Sequence, residues 1–214
     1  MTEWLAALRR EQAHMSLADA DALPDPFEQF RVWLGEAHAA GIKQPNAMTL
    51  STVDPDGKPD ARMVLLKGLD DRGLVFYTNR TSPKGRQMAA NPQAALTFYW
   101  DALERQVRIH GHVEWTSDDE SDEYFQSRPR GSQLGAIVSE QSAVIDGRDG
   151  LEQALAGLDA RTGDRPLQRP PAWGGYRVIP VSFEFWQGRP NRLHDRIRYR
   201  RENQDAWTRE RLAP

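Results

Sequence analysis

The chain has 214 residues, 39% hydrophobic and 28% charged, with 28 Lys and Arg against 31 Asp and Glu and a formal charge of −3. That length can bury a core within one domain, and the charge argues against a generic polyanion binder, so no nucleic-acid partner is expected. Cysteine is absent, which excludes disulfides and thiolate chemistry; with no apolar run of membrane-spanning length and no basic-then-apolar opening, the expectation is a cytoplasmic protein without a membrane partner.

Residues 3–13 read as a helix with Trp4, Leu5 and Leu8 on one face. A polar, Pro-containing linker spans 19–26. Pro26 then opens a second helix with Phe27, Phe30, Val32, Trp33 and Leu34 as its apolar stripe, stopped at Gly41, so that 1–41 form an N-terminal helical segment. Strands follow at 47–53, 61–67 and 74–78, joined by the turns Asp54-Pro55-Asp56-Gly57 and Asp70-Asp71-Arg72-Gly73. A short helix is expected over 82–90, then strands over 94–100 and 106–116. In the second of these Val107, Ile109, Val113 and Trp115 alternate with Arg108, His110, His112 and Glu114, a period of two. Ser117 can cap a helix running to about Ser127. Shorter helices are expected over 132–139 and 149–160, loop over the Pro- and Gly-rich 163–175, and closing strands over 176–187, 192–200 and 206–211. Seven or eight strands in meanders, with added helices, give a mainly β fold built as a closed or nearly closed barrel.

Several constellations carry chemistry. His110 and His112 lie two apart on one strand face, a spacing open to a metal, but no third ligand stands near beyond Glu114; a polar strand face is the better reading and no metal is expected. No Gly-x-Gly-x-x-Gly follows a strand, which argues against a Rossmann dinucleotide site. Arg62 and Lys67 end one strand, Tyr77, Thr78 and Asn79 end the next, and Ser82 and Lys84 begin a helix. Cations, hydroxyls and a helix N-terminus together suit a phosphate, although each residue alone also reads as solvated. Tyr124, Arg128, Arg130 and Ser132 flank a turn at Pro129, open to a second phosphate or to helix-end decoration. In extended structure Arg192, His194 and Arg196 share one face, with Leu193 and Asp195 opposite as packing and support. Two guanidiniums and an imidazole repel unless an anion, an electron-rich ring or solvent lies between them.

These residues resemble the pyridoxine/pyridoxamine 5′-phosphate oxidase family. The similar strings run from about Leu8 to Pro214: residues 62–67, Glu104-Arg105-Gln106-Val107, residues 124–130, Gln141-Ser142, Trp173-Gly174-Gly175, Glu184-Phe185-Trp186-Gln187-Gly188, residues 192–196 and Arg211-Leu212-Ala213-Pro214. The resemblance implies one FMN-binding split β-barrel domain over 1–214, assembled as a homodimer with FMN at the subunit interface. It implies a pyridoxal 5′-phosphate synthase in pyridoxine biosynthesis: pyridoxine 5′-phosphate or pyridoxamine 5′-phosphate is oxidised to pyridoxal 5′-phosphate, and O2 is reduced to H2O2. Carried over by motif, Arg62, Met63, Val64, Leu65, Leu66, Lys67, Tyr77, Thr78, Lys84, Gln106, Gln141, Ser142, Trp186 and Arg196 resemble FMN contacts. Lys67, Tyr124, Arg128 and Ser132 resemble a clamp for the substrate phosphate. Arg192 and His194 resemble the catalytic pair that holds the pyridine ring on the flavin.

Two positions depart from the family. Where it often has Ser-Arg-Lys, this chain has Ser82-Pro83-Lys84, which removes a charge and an N–H donor; Arg86 is a candidate substitute. Where the family has Arg-Arg-Glu-Tyr, this chain has Arg9-Arg10-Glu11-Gln12, so Arg9 and Arg10 read either as a substrate-covering lid or as plain helix surface.

Overall fold

The computed structural model describes residues 15–203 and 206–214. The helix expected over 3–13, with Arg9, Arg10 and Gln12, lies outside the described residues. The first described helix, α1 (Pro26–Ala39), starts where Asp25 accepts a hydrogen bond from the Phe27 N–H at 2.9 Å and Pro26 fills the first turn. It buries Phe27, Phe30, Trp33 and Ala37. Val32, expected in that stripe, is 43% exposed, because the 3.6-residue period turns it away from the buried face.

The strands are β1 (Ala47–Val53), β2 (Pro59–Leu65), β3 (Gly68–Asp70), β4 (Gly73–Asn79), β5 (Gln93–Trp100), β6 (Arg105–Trp115), β7 (Trp173–Gln187), β8 (Asp195–Arg201) and β9 (Trp207–Arg211). Interleaved with them are α2 (Pro83–Ala90), α3 (Asp118–Ser127), α4 (Arg130–Val138) and α5 (Arg148–Thr162). The sheet runs β2-β1-β5-β6-β7-β4-β3, with β8 pairing β7 and β9 pairing β8. Pairing of β4 with β7 is antiparallel from Leu74↔Val178 to Asn79↔Trp173.

The chain divides into two compact units. One takes the described residues up to Leu50 together with Ala95–Gly111 and Pro180–Pro214; its core sets Phe30 tilted against Phe98 and Trp33 edge-on to Phe185, at 4.9 and 5.3 Å between ring centroids. The other takes Ser51–Ala94 and His112–Ile179, with Phe125, Leu134, Leu167 and Trp173 as one buried cluster.

Local boundaries differ from expectation for identifiable reasons. Strand β3 is three residues long, too short to show a period. β7 begins at Trp173, inside the stretch expected to be loop. There glycine signals close packing rather than a turn: a Cβ on Gly174 would lie 2.7 Å from Arg80 Nη2, and one on Gly175 would lie 2.3 Å from Thr116 Oγ1. β8 begins at Asp195 rather than Arg192, because Asn191 and Arg192 hold φ of 58° and 61° in a 3-10 turn. Arg192 therefore shares no strand face with His194 and Arg196.

Candidate functional site

In the second unit, strand β2, the end of β4, the start of α2 and the C-terminal end of α3 surround a cavity of about 350 Å³. Arg62, Met63, Val64, Leu65, Lys67, Tyr77, Thr78, Lys84, Tyr124, Arg128, Gln141 and Trp173 line it. Members of both expected cradles thus share one cavity. Four of these residues carry positive charge, and they are held in different ways.

Arg62 is committed. Its guanidinium donates to Thr52 Oγ1 at 2.6 Å and Gln87 Oε1 at 3.1 Å, and pairs with Asp60 at 2.5 Å. Lys84 is only 8% exposed, and Ser82 caps the helix it opens. Its Nζ donates to Gln141 Oε1 at 3.0 Å, and among the described residues no carboxylate pairs with it. Burial, reinforced by the neighbouring Arg62 charge, pushes its pKa below the usual lysine value. Thr78 donates to the same Gln141 oxygen at 2.9 Å.

Arg128 ends α3, where a capping box between Ser117 and Glu120 fixes the other end. Its Nη1 is buried and has no hydrogen-bond partner among the described residues. Burial lowers its pKa, and its guanidinium carbon lies 4.6 Å from the centre of the Trp173 ring. Tyr77 and Tyr124 stack at 3.9 Å with planes 16° apart. An unpaired donor on a desolvated cation suits an anion with several oxygens, and the hydroxyl-bearing aromatics suit a planar ring. Trp173 stood in a matching string but not in the expected ligand set; an indole directly after a Pro-rich loop was its only signal.

Other expected residues fall elsewhere. Leu66 is buried beside the cavity strand but does not line the cavity, and Ser132 is exposed on the first turn of α4. Ser142 and Arg86 border a separate cavity of about 500 Å³, which also touches Gln141, and Arg86 there donates to the Thr81 carbonyl.

In the first unit, Gln106 is half-buried on β6. The His194 ring packs against Trp186 at 4.7 Å. Its Nδ1 accepts the Arg189 N–H at 3.2 Å, which leaves the proton of the neutral imidazole on Nε2. Burial first, then the Arg192 charge, holds its pKa below the ordinary histidine value, against an opposing effect of Glu104. Arg192 is exposed. Arg196 donates through Nε and Nη2 to Glu184 at 3.0 and 2.8 Å, and through Nη1 to the Ala213 carbonyl at 2.8 Å. Asp195 supports the segment by accepting from the Leu17 N–H and Arg211, both at 3.0 Å. Leu193, expected to pack, is 67% exposed, since it follows the turn and precedes the strand.

A family model described as pyridoxamine 5′-phosphate oxidase matches residues 34–161, and one described as the pyridoxine 5′-phosphate oxidase C-terminal dimerisation region matches 173–214. The chain is 58% identical over 212 residues to a pyridoxine/pyridoxamine 5′-phosphate oxidase of Burkholderia cenocepacia (strain HI2424), covering 98% of this chain and 99% of that one. It is 55% identical over 214 residues to one of Gloeothece citriformis (strain PCC 7424), covering 100% of both. Among solved structures it is similar to PhzG from Burkholderia lata 383 in complex with tetrahydrophenazine-1-carboxylic acid, with a TM-score of 0.89, 30% identity and coverage of 95% of this chain and 100% of that one. These likenesses fix the fold class as mainly β with added helices, a split β-barrel.

Proposed function

The chain belongs to the pyridoxamine 5′-phosphate oxidase family, and from that premise we propose that it oxidises pyridoxine 5′-phosphate and pyridoxamine 5′-phosphate to pyridoxal 5′-phosphate, with FMN as cofactor, O2 as oxidant and H2O2 as by-product, the amine substrate also consuming water and releasing ammonia. The reading includes a homodimer, in keeping with the dimerisation-region match.

The observation that carries it is the uncompensated cation set of the second unit's cavity. Among the described residues Lys84 is buried with no carboxylate paired to it, and Arg128 is half-buried with its Nη1 donor buried and open. A phosphorylated ligand supplies what both lack. FMN fits this donor set: Thr78, Lys84 and Gln141 would hold its phosphate end, with Arg62, residues 63–66, Tyr77, Gln106, Ser142, Trp186 and Arg196 as further contacts. When bound, the flavin supplies the two-electron acceptor. Lys67, Tyr124, Arg128 and Ser132 would fix the substrate phosphate. Arg192 would pack over the pyridine ring, and His194, neutral at pH 7, offers its Nε2–H to a ring substituent. Their contribution is orientation of the reacting carbon. Glu184 and the Ala213 carbonyl hold the Arg196 guanidinium in one orientation.

A second reading is an oxidase of unphosphorylated aromatic acids, because the PhzG structure holds tetrahydrophenazine-1-carboxylic acid. The higher identity to the vitamin B6 enzymes and the cations around Tyr124 favour a phosphorylated substrate. The test is to add each phosphorylated substrate to FMN-loaded protein in air and follow peroxide and pyridoxal 5′-phosphate together. Both products should rise in equal amounts; no product from either substrate overturns the proposal.

A further inference from the structure

Arg128 is unusual in how its charge is tolerated. Burial disfavours the charged form, no carboxylate pairs with it among the described residues, and Nη1 lacks a hydrogen bond. What touches the guanidinium is aromatic: the Trp173 ring at 4.6 Å and, farther off, the Phe125 ring at 5.9 Å. Trp173 is itself buried, 7% exposed, and its plane continues the tyrosine stack. It lies within 13° of Tyr77 at 5.5 Å and within 5° of Tyr124 at 6.1 Å. Phe125 meets it edge-on at 5.5 Å. The backbone fixes the indole as well: Trp173 pairs with Asn79 across β7 and β4, and its N–H donates to the Pro170 carbonyl at 2.9 Å.

We infer that Trp173 is a positioning and specificity residue: its indole face keeps Arg128 charged, in place and unneutralised for the phosphate group of the substrate. The inference rests on the functional reading above. A ring face and a carboxylate can both stabilise a buried guanidinium, but they differ in what they leave behind. A carboxylate occupies N–H donors and cancels the charge. The negative face of an indole stabilises the cation while leaving its in-plane donors open. The site is therefore biased toward ligands that bring their own anionic oxygens, and against the same ring system without a phosphate, which would leave a desolvated cation unanswered.

The test measures equilibrium binding of pyridoxal 5′-phosphate and of phosphate-free pyridoxal to FMN-loaded protein by absorbance. Variants are Trp173→Phe, Trp173→Tyr and Trp173→Leu, each also made with Arg128→Met. Trp173→Leu should weaken pyridoxal 5′-phosphate about 10-fold, with the Tyr and Phe variants between it and the parent. Pyridoxal binding should stay unchanged. On the Arg128→Met background Trp173→Leu should cost little more, because the indole acts through that guanidinium. In turnover, KM for the phosphorylated substrate should rise while kcat holds. If Trp173→Leu does not fold, the Tyr and Phe variants carry the same comparison. Equal losses for the two ligands, an undiminished loss with Arg128→Met, or unchanged binding would each overturn the inference. Failure of the parent protein to bind pyridoxal 5′-phosphate at all would instead overturn the functional reading.

Discussion

Lys84 is buried and Arg128 half-buried with its Nη1 closed off from water, and cations so placed cost free energy that an anionic ligand would offset. Replacing Arg128 by Met would remove the charge-assisted hydrogen bond proposed for the substrate phosphate, about 1.5–3 kcal/mol, so pyridoxal 5′-phosphate should bind roughly 10- to 100-fold more weakly while FMN is retained. A titration of the flavin-loaded variant measures both. His194 makes a different prediction. Its folded pKa lies below the ordinary value of 6.5, with Arg192 contributing to the lowering. An unfolded chain therefore takes up the proton first, and His194 withdraws stability as pH falls through 6.5, with no effect well above it. In Arg192→Met the imidazole should titrate at higher pH than in the parent, as followed by the ring signals in NMR. An unmoved or lower midpoint would reject the electrostatic coupling of the two residues.

Helix α3 carries Tyr124 along its length and Arg128 at its end, so its N-terminal cap bears on the cavity. Ser117→Ala removes the acceptor for the Glu120 N–H, seen here at 3.1 Å. The expected loss is about 1 kcal/mol, lowering the melting temperature by roughly 2–4 °C in a chain of this size. Gly175→Ala should cost more, about 1–3 kcal/mol, because the new methyl meets Thr116 Oγ1 and a Tyr77 ring carbon at 2.3 and 2.8 Å. Calorimetry on both variants checks the order. The same elements show what a sequence discloses. β6 was legible because one-sided burial imposes alternation: Val107, Ile109 and Val113 are 0%, 0% and 6% exposed. The Ser117 cap and the Pro26 start were legible because their hydrogen bonds are local. The start of β7 was not, because Gly174 and Gly175 answer to Arg80, Thr116 and Tyr77, partners far away in the chain. Arg192 was misplaced because left-handed backbone at Asn191 and Arg192 interrupts a run whose composition suits a strand.

At the scale of the molecule, charge counting along the chain suggested two cationic cradles, whereas the folded second unit gathers Arg62, Lys67, Lys84 and Arg128 around one cavity. Sequence order separates residues that strand ends bring together. The division into units has a consequence for how the protein is made. The first unit is assembled from three separate stretches, and the last of them, from Pro180 onward, brings Phe183, Phe185 and Tyr199 into its core. A ribosome that has delivered only the first 179 residues has delivered every segment of the second unit but left Phe27 and Trp33 without those partners. Emergence from the exit tunnel should therefore complete the cavity-bearing unit first and leave the first unit waiting for the final strands. A chain ending at Ile179 should show slow amide exchange in β4 and fast exchange in α1; protected α1 amides in that fragment would reject this order of assembly.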